Sequence, residues 1–139
     1  MARVLLVDDE EDILWGLSDS LKKEGLEVLT AQDGEEALLH LDDGPVDVMV
    51  TDIRMPGMNG VELLLKAKEL HPEINVIVMT AYGSDELKTE VLERGALHYL
   101  EKPFDFEDLY QLIEKCTREK GAEQPWELAD ILQLLNFYF

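Results

Sequence analysis

The sequence predicts an α/β fold in which helices cover both faces of a parallel sheet. Five short apolar runs alternate along the 139 residues with segments of helical periodicity, the pattern of consecutive βαβ units. The apolar runs are nearly continuous, which is typical of strands that are buried on both faces. No internal repeat or low-complexity tract interrupts this order, and the length suits one domain.

The five predicted strands are short runs of mostly aliphatic residues. In chain order they occupy residues 4–7, 26–30, 47–51, 75–79 and 96–100. Right-handed crossovers between successive strands make the strands parallel. The carboxyl ends of all five strands are therefore expected at one edge of the sheet.

The predicted helices follow these strands one by one. The first has apolar residues at helical spacing from Ile13 to Leu21, and Gly25 is its expected stop. The acidic run at 10–12 favours a helix N-terminus because the helix macrodipole stabilises negative charge there. The segment 85–93 is charged and has little apolar surface, which predicts a weakly anchored helix. The remaining helices are predicted at about residues 33–43, 61–70 and 105–118.

The C-terminal part of the chain departs from this alternation. Residues 120–125 contain Gly and Pro and predict a linker. For residues 126–139 we expect an amphipathic helix, either a sixth helix packed on the core or the start of a truncated effector domain. Its apolar face consists of Leu128, Ile131, Leu132 and Leu135, at i, i+3, i+4 and i+7. The opening of this segment, residues 126–135, faintly resembles the first helix of PATAN-type domains, which favours the second case.

Composition restricts the classes of partner. Lys and Arg total 12 against 31 Asp and Glu, a formal net charge of −19, so we expect no direct nucleic-acid binding by this chain. The single cysteine, Cys116, excludes a disulfide framework and a Cys-based zinc site. No apolar run approaches the roughly 20 residues of a membrane-spanning helix, and the N-terminus is not a signal peptide. We therefore expect a cytoplasmic protein that does not engage membranes.

Chemically reactive side chains stand at the carboxyl ends of four predicted strands. Asp8 and Asp9 follow the first strand, Asp52 the third, Thr80 the fourth and Lys102 the fifth. Ligands of doubly wound sheets bind at this edge, beside the point where the strand order reverses. Three carboxylates crowded there repel one another unless a cation neutralises them. Mg²⁺ is the expected cation because it prefers hard oxygen ligands.

A carboxylate in such a setting can be the nucleophile of phosphoryl transfer, forming an aspartyl phosphate. Asp52 is the candidate because it ends a buried strand and precedes a breaker-rich loop at 53–60. The hydroxyl of Thr80 and the charge of Lys102 suit the phosphoryl oxygens. Positioning and charge neutralisation would supply most of the catalysis.

Four motifs, in this order and spacing, resemble the receiver domain of bacterial two-component response regulators over about residues 1–119. The resemblance implies a flavodoxin-like, doubly wound sheet of order 2-1-3-4-5 with five helices. It also implies a signalling phosphoacceptor that catalyses only its own phosphorylation and dephosphorylation, not a turnover enzyme. The motifs are Val7-Asp8-Asp9, Thr51-Asp52-Ile53-Arg54-Met55-Pro56-Gly57-Met58-Asn59-Gly60, Met79-Thr80-Ala81 and Tyr99-Leu100-Glu101-Lys102-Pro103-Phe104.

The resemblance assigns the metal and phosphoryl ligands. Asp52 would accept a phosphoryl group from a sensor histidine kinase or a phosphotransfer protein. Asp9 and Asp52 would bind Mg²⁺ together with the main-chain carbonyl of Arg54, while Asp8 would act through water. Lys102 would contact the phosphoryl group, and its peptide bond to the following proline would be cis.

The resemblance also implies a conformational switch. Thr80 would move toward the phosphoryl oxygens, and Tyr99 would turn inward into the space released. The remodelled face would control an output domain or partner, with a homodimer through the last strands and helices as one outcome. Arg54 and Tyr82, each two residues beyond a site residue, occupy positions that tune the phosphate lifetime in this family.

Two other classes of protein use a related sheet. A flavodoxin-like electron carrier needs a hydroxyl- or glycine-rich loop after the first strand, but the acidic run 8–12 would repel a flavin phosphate. A haloacid-dehalogenase-type phosphatase needs a second carboxylate two residues after its nucleophile, where this chain has Arg54. Both alternatives therefore fit the sequence less well than a phosphoacceptor.

Overall fold

The computed structural model describes residues 2–121, in which five strands alternate with five helices. The strands are β1 (Arg3–Val7), β2 (Glu27–Ala31), β3 (Val48–Asp52), β4 (Asn75–Thr80) and β5 (His98–Glu101). The helices are α1 (Glu11–Lys23), α2 (Gly34–Asp43), α3 (Gly60–Leu70), α4 (Asp85–Glu93) and α5 (Phe106–Gly121). The predicted alternation of strands and helices is confirmed.

One parallel sheet of order β2-β1-β3-β4-β5 forms the centre of the domain, as the resemblance implied. Alternate residues of each strand point to opposite faces. On one face Leu5 and Met49 join a core with α2, α3 and α4, and on the other Leu6 and Val50 join a core with α1 and α5. Each such fully buried side chain contributes about 1.5–3 kcal/mol. Burial on both faces explains why the strands are apolar without alternation.

Three strands, β2, β3 and β5, begin later than the periodicity predicted. For β2 and β5 the reason is a helix cap. Gly25 and Gly95 follow α1 and α4 with φ of 87° and 109°. The next residue in each case, Leu26 or Ala96, donates its amide hydrogen to a carbonyl of the last helical turn. This is the hydrogen-bond pattern of a Schellman motif. Both residues therefore belong to helix caps, and the predicted starts at 26 and 96 are wrong.

Helix α5 continues to Gly121, two residues into the predicted linker. The residues between the predicted end at 118 and this glycine are good helix formers, so nothing stops the helix earlier. The rest of the linker and the predicted helix at 126–139 lie outside the described residues. Within residues 2–121, no helix is both long and apolar enough to cross a membrane.

Candidate functional site

Three carboxylates meet at the carboxyl edge of the sheet because β1 and β3 are neighbours. One oxygen each of Asp8, Asp9 and Asp52 lies within 4.8 Å of the other two. Asp8 is fully buried and Asp52 is 7% exposed, whereas Asp9 is open to solvent. The predicted cluster therefore forms, with two carboxylates embedded in the domain and one at the surface.

Lys102 extends its side chain from the end of β5 to these carboxylates. Its Nζ donates hydrogen bonds to Asp8 Oδ2 at 2.6 Å and to Asp52 Oδ2 at 2.8 Å. Its backbone amide donates to the carbonyl oxygen of Thr80, and its peptide bond to Pro103 is cis, as expected. The sequence indicated Lys102 only as a ligand for a phosphoryl group. In the structure the same ammonium group neutralises part of the carboxylate cluster.

The mutual burial of these groups changes their acidity. Burial raises the pKa of Asp8 above its ordinary value, even though hydrogen bonds from Lys102 and from the amide of Glu10 oppose the shift. Burial alone would lower the pKa of Lys102, but hydrogen bonds to Asp52 and Asp8 outweigh it and the pKa is raised. Lys102 is therefore a fixed positive charge at neutral pH.

The backbone around Asp52 orients its carboxylate. Oδ1 accepts a hydrogen bond from the amide of Ile53 at 2.7 Å, which leaves Oδ2 directed toward Lys102. The loop then folds back closely, and the amide of Gly60 donates to the carbonyl of Ile53 at 2.8 Å. A Cβ at position 60 would overlap the carbonyl oxygen of Asp52, so only glycine fits there.

Thr80 is buried at the end of β4, beside β3. Its Oγ1 accepts a hydrogen bond from the amide of Tyr82 at 3.1 Å. A hydroxyl that accepts in this way still has its own hydrogen to donate. Thr80 can therefore donate to an oxygen that binds at this edge.

Tyr99 lies on β5 and packs against the core on the α4 side of the sheet. Its hydroxyl is buried against Gly83, where a Cβ would overlap it, and it faces the backbone of Ser84. Burial and then the nearby carboxylate of Glu101 raise the pKa of Tyr99. The hydroxyl is therefore buried although the residue as a whole is only partly buried.

A contact between two exposed side chains was not anticipated from the sequence. The guanidinium carbon of Arg54 lies 4.1 Å from the ring centroid of Tyr82, a cation–π arrangement. Arg54 lies two positions after Asp52 at the end of β3, and Tyr82 lies two positions after Thr80 at the end of the neighbouring β4. This equal spacing from two paired strands could have indicated the contact. Arg54 also lines the same open groove as Asp9, of about 600 Å³.

The carboxylate cluster suits a hard divalent cation. Three oxygens lie close enough together to share one ion, and Asp9 gives access from solvent through the open groove. Lys102 forms ion pairs with the two buried carboxylates, Asp8 and Asp52. Asp9 has no ion pair with Lys102, so its carboxylate can bind a second cation. The residues present therefore fit a metal ion of the Mg²⁺ class.

The burial of Asp8 predicts a pH-dependent difference between the wild type and Asp8→Asn. Because the pKa of Asp8 is higher in the folded than in the unfolded state, protonation of Asp8 stabilises the fold. This contribution to the free energy of unfolding is complete below the ordinary pKa of 3.8 and is lost as pH rises through the folded pKa. Relative to the wild type, Asp8→Asn should therefore gain stability as pH increases across this interval. Denaturant unfolding in EDTA at a series of pH values measures it, with Asp42→Asn on the exposed surface of α2 as control. A difference that does not vary with pH would contradict the prediction.

Comparisons with known proteins agree with this geometry. A model of the response regulator receiver domain matches residues 4–114. The chain is 40% identical over 121 residues to the DNA-binding transcriptional regulator NtrC of Salmonella typhimurium, an alignment that covers 87% of this chain and 26% of NtrC. The chain thus spans about a quarter of the length of this curated relative.

Solved structures show the same fold. A response regulator receiver domain protein from Clostridium thermocellum has a TM-score of 0.84 at 32% identity, covering 89% of this chain and 100% of that one. The beryllofluoride-activated NtrC4 receiver domain dimer has a TM-score of 0.82 at 38% identity, covering 86% and 98%. Sequence, fold and carboxylate cluster agree: the chain belongs to the response regulator receiver domain family of two-component systems.

Proposed function

We propose that Asp52 accepts a phosphoryl group from a sensor histidine kinase or phosphotransfer protein in a Mg²⁺-dependent reaction, and thereby controls an output domain or partner. The observation that carries the proposal is the position of the Asp52 carboxylate. Its Oδ2 accepts a hydrogen bond from the ammonium group of Lys102 at 2.8 Å, and the carboxylate lies close to those of Asp8 and Asp9. A nucleophile beside one fixed cation and one cation-binding cluster suits transfer of a highly charged group.

The chain's own residues supply most of the chemistry. A carboxylate oxygen of Asp52 attacks phosphorus, so an O–P bond forms while the N–P bond of the donor phosphohistidine breaks. The amide of Ile53 holds the other carboxylate oxygen in place. Lys102 and the hydroxyl of Thr80 neutralise and position the phosphoryl oxygens.

Asp9, Asp52 and the main-chain carbonyl of Arg54 would hold Mg²⁺, with Asp8 acting through water. The ion, when bound, neutralises charge on the phosphoryl oxygens during transfer. The proposal is tested by incubating the full chain with acetyl phosphate and following the intact mass. Addition of one phosphoryl group with Mg²⁺ and none with EDTA is the expected result. Equal labelling in both conditions would exclude a metal-dependent phosphoacceptor.

The Arg54–Tyr82 contact should lengthen the lifetime of the phosphorylated state. Arg54 lines the groove beside Asp9, and the ring of Tyr82 lies against the guanidinium group of Arg54. We propose that this contact keeps Arg54 in place and so limits the access of water to the phosphorylated carboxylate. Tyr82→Ala removes the ring, and we expect hydrolysis to become roughly two- to fivefold faster, the equivalent of about 0.5–1 kcal/mol. Tyr82→Phe keeps the ring face and should behave as the wild type. The decay of phosphorylated protein measures both, and an equal rate for Ala and Phe would contradict this role.

The switch would act through Thr80, Tyr99 and α4. Helix α4 is anchored by few apolar side chains, and Val91 is its buried residue, so its position depends on few contacts. We propose that a phosphoryl group draws the Thr80 hydroxyl toward it and stabilises the inward placement of Tyr99. The face around α4 then selects its partner.

Beryllofluoride bound with Mg²⁺ tests the switch. We expect amide signals of residues 80–105 to shift while those of β1 and β2 shift less, because the proposed movement is confined to the second half of the sheet. In Thr80→Ala the shifts beyond the immediate site should be largely lost. Unchanged signals across residues 80–105 in the wild type would refute the switch.

Domain organisation and partners follow from the same proposal. We propose that residues 1–119 are the receiver unit and that residues 126–139 begin an effector domain. Residues 120–125 would join the two, although the first two of them belong to α5. The named relative is a DNA-binding transcriptional regulator, and the aligned segment covers only 26% of it. A solved NtrC4 receiver is a dimer, which supports a homodimer through the last strands and helices of this chain.

A further inference from the structure

Strand β2 lies at one edge of the sheet and is bonded within it only to β1. Such an edge offers peptide groups to any strand that approaches. The amide of Glu27 donates to Ala2 and the carbonyl of Ala31 accepts from Asp8, so these groups face β1. Because successive residues of a strand direct their peptide groups to opposite sides, the carbonyl of Thr30 points toward the open side, and so does the amide of Gln32, the first residue after the strand, if the alternation continues by one residue.

Helix α2 occupies both of these outward groups. His40 Nε2 lies 3.0 Å from the carbonyl oxygen of Thr30, and since a carbonyl only accepts, Nε2 carries the hydrogen. The amide of Gln32 donates to Glu36 Oε2 at 3.1 Å. Glu36 and His40 are four residues apart and therefore neighbours on one face of the helix. One acceptor and one donor that an added strand would use are thus already bonded.

We infer that Glu36 and His40 close the edge of β2 against addition of the same strand from a second copy of this chain. Two β2 edges related by a two-fold axis would pair as antiparallel strands. The edge also has surface to bury, because a groove of about 450 Å³ beside it includes Trp15, whose residue is 72% exposed. The other edge strand, β5, has only four residues, and short edge strands offer less to a partner.

The test compares two double variants of the full chain. Glu36→Ala with His40→Ala removes both hydrogen bonds to the edge. Glu36→Gln with His40→Gln removes the same two ionisable groups but keeps an acceptor for Gln32 and a donor for Thr30. We expect the mass of the alanine variant in light scattering to approach twice that of the wild type as concentration rises, while the glutamine variant behaves as the wild type.

Amide exchange locates the contact. In the associated alanine variant, the outward amides of Val28 and Thr30 should gain protection that disappears on dilution. If the glutamine and alanine variants have equal masses and equal exchange at every concentration, the inference is wrong.

If the alanine variant aggregates, a third substitution, Thr30→Pro, distinguishes pairing at β2 from unspecific association. It removes an outward amide hydrogen at a position where an edge strand tolerates proline. Recovery of the mass seen for the glutamine variant supports pairing at β2. Continued association with the proline present overturns it.

Discussion

Asp52→Asn should abolish phosphorylation by acetyl phosphate in the presence of Mg²⁺. An amide has nearly the shape of the carboxylate but is a poor nucleophile, so no O–P bond forms. Its oxygen can still accept the hydrogen bond from the amide of Ile53, and Lys102 keeps Asp8 as a partner at 2.6 Å. The fold should therefore persist while labelling falls to background in intact-mass measurements.

The matched control for this experiment is Asp42→Asn, which removes one exposed carboxylate in the last turn of α2, the end of the helix that leads to the start of β3 and not to its carboxyl end. We expect the control to be labelled as fully as the wild type. Near-ultraviolet circular dichroism confirms that both variants are folded. If Asp52→Asn is labelled to the same extent as the control, another residue accepts the phosphoryl group and the assignment fails.

Asp9→Ala should abolish Mg²⁺ binding and, with it, phosphorylation. Asp8 and Asp52 share Lys102, whereas Asp9 is the exposed carboxylate of the cluster and faces the open groove. Loss of a direct ligand should weaken Mg²⁺ binding by on the order of 100-fold or more, since even indirect partners of metal ligands contribute 10–100-fold. Titration with Mg²⁺ by calorimetry or amide spectra measures the dissociation constant.

The metal-free stability of Asp9→Ala distinguishes loss of a ligand from loss of fold. If the three carboxylates repelled one another with no cation nearby, removal of one of them would raise the free energy of unfolding above that of the wild type. Because Lys102 offsets part of the charge of the buried pair and Asp9 is exposed, we expect the free energy of unfolding to change by no more than about 0.5 kcal/mol, as for other surface substitutions. Glu11→Ala, at an exposed acid of the first turn of α1, is the control and should bind Mg²⁺ normally. Normal Mg²⁺ binding by Asp9→Ala would exclude the proposed site.

The sequence was sufficient for the order and type of the ten elements. Strands buried on both faces must be apolar throughout, and helices with one buried face must repeat their apolar residues every three or four positions. These requirements act locally along the chain, so they are readable without the fold. Strand starts were less certain because the residue after Gly25 or Gly95 has an apolar side chain whether it caps a helix or begins a strand.

The sequence also determined which residues share the site. Placing Asp8, Asp9, Asp52, Thr80 and Lys102 at one edge required only that the strands be parallel, because parallel strands end at the same edge. The motif spacing then indicated the family. Neither argument depends on where an individual side chain points.

The partners of each side chain were decided by the tertiary structure alone. Lys102 bonds to carboxylates 94 and 50 residues away, Arg54 stacks on Tyr82, and His40 bonds to the edge of β2. Long charged and aromatic side chains have many rotamers, and their choice depends on groups that only the folded sheet brings within about 3–4 Å. The sequence therefore determined the set of residues at the site, and the packing of the sheet determined which of them neutralise, orient and cover one another.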